Sequence, residues 1–492
     1  MNAMTACPLD AGDQTLTLRL SASDLGFTPR SAWNPSPSVS HRTEPYDLPI
    51  TLDVGIRGNE ACGAKFSPPP FAIVVLGADA RALVHVVAEG GWHRWNQVRF
   101  TIDRDGVGVE IDLEGQSDPR EVAPHVQVAV TLDEQGAGLH ELLGAGLAAA
   151  YPRAGEPRPI PDWWLRPSYC GWGDQVGMAM HLEGVGAERR ANPYCTQGLY
   201  ERWIRRLEQA NVPIGTVTVD AGWSPAGWWE ADQERWPDLR QFVDRQHQAG
   251  RRVLLWLATW LWDRLPDDWC LFVDGFKLTA DPTHPRYREQ IRRWVDELLS
   301  PDGYDADGFK IDQLAFCPSR QAPYGGSRFG WCRELPPSRA RVRLAQGELW
   351  GCELLYQLQR DICLAAKAAK PDCLITSSTV HPYFADTFDM VRLHDMGEVA
   401  ADIFAAMQSR ADLSRAALPH APIDADDWVH SDYDLWLRYT RHSGRIGVPC
   451  TLYAEHFVQN WKSEPATRLI AMDDLRAIGD SWRGYLAQLK GR

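Results

Sequence analysis

Between residues 168 and 452 the chain alternates short apolar runs with longer amphipathic ones, and few architectures accept that pattern. The runs at 168–172, 215–219, 252–256, 308–311, 373–376, 390–393 and 448–452, with a weaker one near Pro422, have the length and composition of strands buried on both faces. Between them, 199–210, 239–249, 287–299, 348–369 and 434–443 carry apolar residues at helical spacing. Strands alternating with helices specify βαβ units around a parallel sheet. Eight such strands predict an α/β fold, a (β/α)8 TIM barrel with insertions. A doubly wound sheet is the structural alternative. No glycine-rich phosphate loop opens any of these helices, which argues against nucleotide binding.

The first part of the chain reads differently. Residues 13–135 hold short alternating segments at 15–20, 71–76, 82–87, 97–102, 107–113 and 126–132, separated by Gly, Pro and Asp turns. This predicts an N-terminal antiparallel β-sandwich domain over 1–150. The Pro-rich stretch 151–161 marks a linker over 151–165, and the catalytic barrel then occupies 166–492. A segment at 316–341, rich in Pro, Gly, Ser and Arg, interrupts the barrel after its fourth strand. It reads either as a lid or subsite loop at the active end or as a disordered excursion.

Bulk properties narrow the partners. The formal net charge is −14, which suits no nucleic-acid binder, because phosphate contacts rest on Lys and Arg. No apolar run has the ~20 residues of a membrane span, and the first ten residues lack a signal-peptide pattern. Eleven scattered cysteines without CxxC pairs suit reduced thiols, so a cytoplasmic location is expected. The 22 Trp exceed the 14 Tyr and the 14 Phe, and indole rings offer flat apolar platforms to sugar C–H faces as well as filling cores.

Polar groups recur where the apolar strands end: Cys170 to Asp174, Asp220 to Trp223, Trp256, Lys310 to Gln313, and Arg392 to Asp395. In a barrel these ends converge on one pocket. Lys310 and Asp312 are two apart on a strand and point to the same side. An ammonium beside a carboxylate would keep it ionised, the state a nucleophile needs; the bland alternative is a structural ion pair. Arg392 and Asp395 are open to the same two readings. Paired carboxylates flanking a scissile bond are the equipment of glycoside hydrolysis. His381 and His394 lie nearby but belong to no spaced metal-ligand set, and no GxSxG elbow is present. Ser377 and Ser378 are candidates either for substrate hydrogen bonds or for a helix cap.

Taken in order, 216–223, 229–237, 247–256 and 308–312 resemble the clan D α-galactosidase superfamily and its related α-glucosidase families. The stretches that carry the resemblance are Val219-Asp-Ala-Gly-Trp, Trp229-Glu-Ala-Asp-Gln-Glu-Arg-Trp-Pro, Gly250-Arg-Arg-Val-Leu-Leu-Trp and Lys310-Ile-Asp. It implies Asp312 as nucleophile and Asp395 as acid/base, with Glu398 in reserve because the Arg-to-Asp spacing is shorter than the family's. It implies substrate contacts from Trp172, Asp220, Trp256, Lys310 and Arg392, and no cofactor or metal. Many α-galactosidases carry a second Asp where this chain has Ala221, so a gluco- or xylo-configured substrate is expected instead. The stretch after the last strand is too short for the C-terminal β-sandwich of many relatives.

The resulting expectation is a retaining α-glycoside hydrolase acting on a carbohydrate α-glycoside, its oligomeric state unspecified. A retaining pair would place the Asp312 and Asp395 carboxyls about 5–5.5 Å apart. An α-transglycosylase would use the same residues. A non-catalytic carbohydrate-binding barrel protein would not require both carboxylates, and a metal-dependent barrel hydrolase would be sensitive to chelators.

Overall fold

The computed structural model describes residues 4–36, 44–56, 66–133, 135–184, 190–225, 227–260, 264–273, 276–314, 317–319, 342–393, 402–459 and 466–491. The N-terminal part is a sandwich of a six-stranded and a five-stranded antiparallel sheet. The alternating segments become its central strands Thr15–Ser21, Ala72–Leu76, Arg81–Ala88, Gln97–Asp103, Gly106–Asp112 and Val126–Asp133. Alternation decides which face is buried: in Gln97–Asp103, Val98, Phe100 and Ile102 are inward while Arg99 and Thr101 face solvent.

The second part is a (β/α)8 barrel. Its strands are Ser168–Cys170, Thr216–Val219, Arg252–Ala258, Gly308–Asp312, Leu374–Ser377, Met390–Arg392, Ile423–Asp424 and Cys450–Thr451. They lie side by side in chain order, all parallel. The eighth closes on the first through Ser168–Cys450 and Tyr169–Thr451, and an Asp424–Val448 bridge joins the seventh. Gly308, at φ +147°, starts the fourth strand so close to the fifth that a Cβ would sit 1.9 Å from the Leu374 carbonyl oxygen.

The outer helices form where apolar residues recur at 3.6 spacing. In Gln197–Gln209 the buried residues are Tyr200, Trp203, Ile204 and Leu207, one stripe facing the sheet, and the Thr196 hydroxyl caps the helix by accepting from the Leu199 N–H. Each large side chain so buried contributes about 1.5–3 kcal/mol of transfer free energy. Three barrel helices are absent from the expected set, Trp172–Glu183, Ile403–Ala417 and Met472–Lys490. Between the fifth and sixth strands a short turn at Pro382–Phe384 replaces the helix.

Inside the barrel the chemistry is graded. At the N-terminal mouth, Leu254, Leu374, Met390 and Val448 form a small apolar layer, plugged by Trp164 from the stretch expected as linker. The Trp164 indole N–H donates to the Asp372 carbonyl at 3.1 Å. Above this layer Thr216, Thr218, Thr376, Cys170, Lys310, Arg392, Asp424 and Asp426 line the lumen. Polarity therefore concentrates at the strands' C-terminal ends.

Sandwich and barrel share a buried seam. Cys352 N–H donates to the Trp95 carbonyl, Ser67 N–H to the Ser378 carbonyl, and the Thr379 hydroxyl to the Ser67 carbonyl. His85, His93 and His381 are buried there with Tyr151 and Glu353, and Tyr383, partly buried, stacks on His93. Neither ring nitrogen of His85 has a hydrogen-bond partner among the described residues, and burial pushes its pKa down to about 4. An unfolded histidine takes up its proton near pH 6.5, whereas the folded chain refuses it until about pH 4. Stability is therefore lost as pH falls through that window, by about 3 kcal/mol from this residue. His85→Leu is expected to leave stability at pH 7.5 unchanged or raised, and to flatten the loss between pH 6.5 and 4. Urea midpoints across pH check this; parallel pH profiles in the two proteins would refute it.

Candidate active site

Of the sequence-predicted residues that the structure describes, Asp220, Trp256, Lys310, Asp312 and Arg392 are joined by hydrogen bonds at the barrel's C-terminal mouth. Asp220 follows the second strand, Trp256 lies on the third, Lys310 and Asp312 on the fourth, and Arg392 ends the sixth. The parallel register sets Trp256 beside Lys310 and Ala258 beside Asp312. Period-two alternation then sends Trp256, Lys310 and Asp312 to the lumen, while Leu255, Phe309 and Ile311 are wholly buried on the helix side.

Among the described residues, Asp312 accepts from the Trp256 indole N–H at 3.1 Å on Oδ2, and from the Arg392 guanidinium at 3.1 Å and the Gln313 N–H at 2.8 Å on Oδ1. Charge-assisted bonds of this kind suit a carboxylate anion and fix its orientation. The backbone behind it is also fixed, since the Thr259 hydroxyl and N–H both donate to the Asp312 carbonyl. Gln313 takes φ +60°, turning the chain away as soon as the carboxylate has been presented. The Asp312 side chain is 23% exposed, whereas those of Asp220 and Arg392 are each 3% exposed. The carboxylate thus faces the opening and the other two lie beneath it.

The expected direct pairing of Lys310 with Asp312 is corrected. The Lys310 ammonium donates to Asp220 Oδ2 at 2.7 Å, and Arg392 is the cation bonded to Asp312. Same-side spacing was right, but the nearest counter-ion comes across the lumen from the second strand. Burial by itself would depress Lys310. The charge of Asp220, helped by that of Asp312, overrides it and holds the pKa well above the ordinary lysine value. The Cys170 thiol donates to the same Asp220 oxygen at 3.0 Å, and burial, then the Asp220 charge, pushes its pKa up strongly. Gly222, at φ +107°, lets the chain fold back after Asp220, where a Cβ would lie 2.5 Å from the Asn192 carbonyl oxygen. Trp223, wholly buried, donates its indole N–H to the Trp256 carbonyl at 2.7 Å and so braces the wall.

Other expectations fare differently. Trp172 opens the helix Trp172–Glu183 and is half-buried. Asp174, also at the first strand's end, is committed to structure: its carboxylate accepts from Tyr169 and from the N–H groups of Ala454, Glu455 and His456, fastening the loop after the eighth strand. Ser377 bonds Thr379, and His381 lies in the seam described above. Asp395, Glu398, His394 and most of the 316–341 insertion lie outside the described residues. Asp402, further along that segment, caps the helix Ile403–Ala417. Among the described residues no group of three or more His, Cys, Asp or Glu is arranged to hold a metal ion.

Sequence reasoning missed the seventh strand's contribution. Asp424 and Asp426 line the same lumen, and Asp426 Oδ2 accepts from Arg392 at 3.2 Å. Burial and then the Asp426 charge push Asp424 up to about 6. The signal was present in Ile423-Asp-Ala-Asp-Asp427, an acidic alternation closing a weak strand.

No family model and no curated protein matches the sequence. Solved structures do match. A GH31 alpha-xylosidase from a soil metagenome, complexed with xylose, aligns with TM-score 0.61 and 12% identity over 99% of this chain and 67% of its own. The cycloalternan-degrading enzyme from Trueperella pyogenes, in complex with a covalent intermediate, gives 0.59 and 14% over 97% of this chain and 66% of its own. A mutant of Kfla1895 in complex with isomaltose gives 0.58 and 15% over 97% and 65%. The chain spans about two thirds of the length of these neighbours. At such identities the likeness is one of fold: a β-sandwich followed by a (β/α)8 barrel.

Proposed function

We propose that the protein is a retaining α-glycosidase of the clan D type with Asp312 as its nucleophile. The observation that carries this reading is the setting of Asp312. A carboxylate on the fourth strand's end is aimed into the barrel mouth by Trp256, Arg392 and the Gln313 N–H, above the buried Lys310–Asp220 pair. The fold neighbours lend support through their ligands, since their structures hold xylose, isomaltose and a covalent intermediate.

In this reading Asp312 attacks the anomeric carbon as the glycosidic oxygen leaves with a proton from Asp395, or from Glu398 should that be the acid. A glycosyl ester of Asp312 results. Water, deprotonated by the same acid/base residue, then attacks the anomeric carbon and releases Asp312, retaining configuration overall. Lys310 and Asp220 offer polar groups to sugar hydroxyls at the pocket floor, and Trp256 supplies an apolar wall.

A panel of aryl α-glycosides tests the proposal. Turnover of an α-glucoside or α-xyloside is expected, with an α-anomeric first product by NMR. Weak or no turnover of the α-galactoside is expected, because Ala221 gives no side-chain partner to a hydroxyl that an aspartate there would bind. Efficient galactoside turnover with glucosides and xylosides inert would refute that specificity. Sugar-dependent thermal stabilisation without turnover of any substrate would favour a carbohydrate-binding barrel.

A further inference from the structure

We infer that Asp426 is a positioning residue for the nucleophile, acting through Arg392; this rests on the reading of Asp312 given above. Arg392 is 2% exposed and holds two carboxylates with its two terminal nitrogens. Nη2 reaches Asp312 Oδ1 at 3.1 Å and Nη1 reaches Asp426 Oδ2 at 3.2 Å. A guanidinium is a rigid planar fork, so fixing one prong fixes the direction of the other. The geometry of Asp312 is thereby tied to the seventh strand as well as to its own.

Asp426 is built to be the fixed end. Its backbone takes φ +43°, its N–H donates to Asp424 Oδ1 at 2.9 Å, and its Oδ1 accepts from the Trp428 N–H at 2.9 Å. With Oδ1 engaged by the backbone, Oδ2 is presented to Arg392. The left-handed conformation is one that Asp and Asn adopt more readily than other side-chain-bearing residues. Asp426 is 3% exposed and bonds the same guanidinium that bonds Asp312, so its hold on the nucleophile runs through Arg392. Its charge also bears on Arg392: among the described residues the guanidinium meets both Asp312 and Asp426, so Asp312 does not carry the whole of its positive charge. Asp424 completes the layer, raised to about 6 by burial and by Asp426, with Arg392 and Lys310 opposing that rise.

The test compares wild type, Asp312→Ala, Asp426→Asn and Asp426→Ala on the best aryl α-glycoside. The readouts are kcat, KM, the rate of covalent labelling of Asp312 by a 5-fluoro-α-glycosyl fluoride read by mass spectrometry, and thermal midpoints. Asp426→Asn keeps the turn and an oxygen for Arg392 but removes the charge. It is expected to lower kcat and the labelling rate about tenfold with KM within threefold. Asp426→Ala removes both and is expected to lower them about a hundredfold, so that Asn partly rescues Ala. If Asp312→Ala is inactive while Asp426→Ala folds and keeps wild-type kcat and labelling, the proposal is overturned and the nucleophile assignment stands. If Asp312→Ala itself retains turnover, or wild type turns over no α-glycoside, the underlying reading fails and the proposal falls with it. A rise in KM alone in both Asp426 variants would also overturn it, since misaiming the nucleophile acts on the chemical step.

Discussion

Asp312→Ala is expected to fold like wild type and to lose turnover by roughly 10⁴-fold or more. The fold survives because the residue removed is a 23% exposed side chain at the pocket mouth, not part of the packed core. Turnover is lost because no glycosyl ester can form. Azide, small and anionic, can occupy the vacated space beside Arg392 and Trp256. It should attack the anomeric carbon from the face Asp312 used and restore activity on a substrate with a good leaving group. The product should be a glycosyl azide of inverted configuration. In Asp395→Ala the nucleophile survives, so azide should intercept the covalent ester and give a retained product. NMR of the two azides checks both. Near-wild-type turnover in Asp312→Ala would reduce Asp312 and Arg392 to a structural ion pair, and the opposite stereochemistry would exchange the roles of the two aspartates.

Much of this arrangement can be read from the residues, and the limits have physical causes. Parallel strands buried on both faces must be short apolar runs, so 252–256 and 308–311 were legible almost to their ends. The seventh strand is two residues long, Ile423–Asp424, too short to show a period. The helix Ile403–Ala417 buries one face, Ile403, Ala406, Met407, Arg410, Ala411, Leu413, Ser414 and Ala417, but that face is diluted by an arginine, a serine and three alanines, so its apolar stripe is weak in the sequence. Trp172–Glu183 is buried without a break from Gly173 to Met180 and carries two glycines, so its pattern has no polar face to reveal it. In the sandwich, Asp10–Ala11 and Tyr46–Asp47 gain their strand character only from neighbours across the sheet.

The site shows the same division between local and closed-up information. Spacing along one strand places Lys310 and Asp312 on the same face, and that held. Which anion meets Lys310 depends on how strands two and four curve toward each other across the lumen, and no local window contains that curvature. Arg392 likewise bonds Asp312, 80 positions away, and Asp426, 34 positions away. Strand-end residues announce that a pocket exists, while barrel closure decides the pairing inside it.

The Lys310–Asp220 pair should therefore be the most stability-sensitive part of the site. Lys310 is 8% and Asp220 2% exposed, and the two are 2.7 Å apart. Asp220→Ala would leave a buried ammonium without its hydrogen-bonded counter-ion, and a loss of about 3–5 kcal/mol is expected. The pH dependence distinguishes this cause from simple loss of packing. In wild type Lys310 is held well above its ordinary value, so its contribution is complete below about pH 10.5 and is lost at higher pH. In Asp220→Ala burial would dominate and Lys310 would fall below its unfolded value. The variant should then recover stability as pH rises from 7 toward 10, a range over which the wild-type contribution of Lys310 stays constant. Asp220→Ala combined with Lys310→Met removes both charges and should regain most of the lost stability while remaining without turnover. Urea titrations of the four proteins at pH 7 and pH 9.5 supply the measurement. A cost below about 1 kcal/mol in Asp220→Ala, or a double variant no more stable than the single one, would mean that the pair is not the buried electrostatic unit the geometry describes.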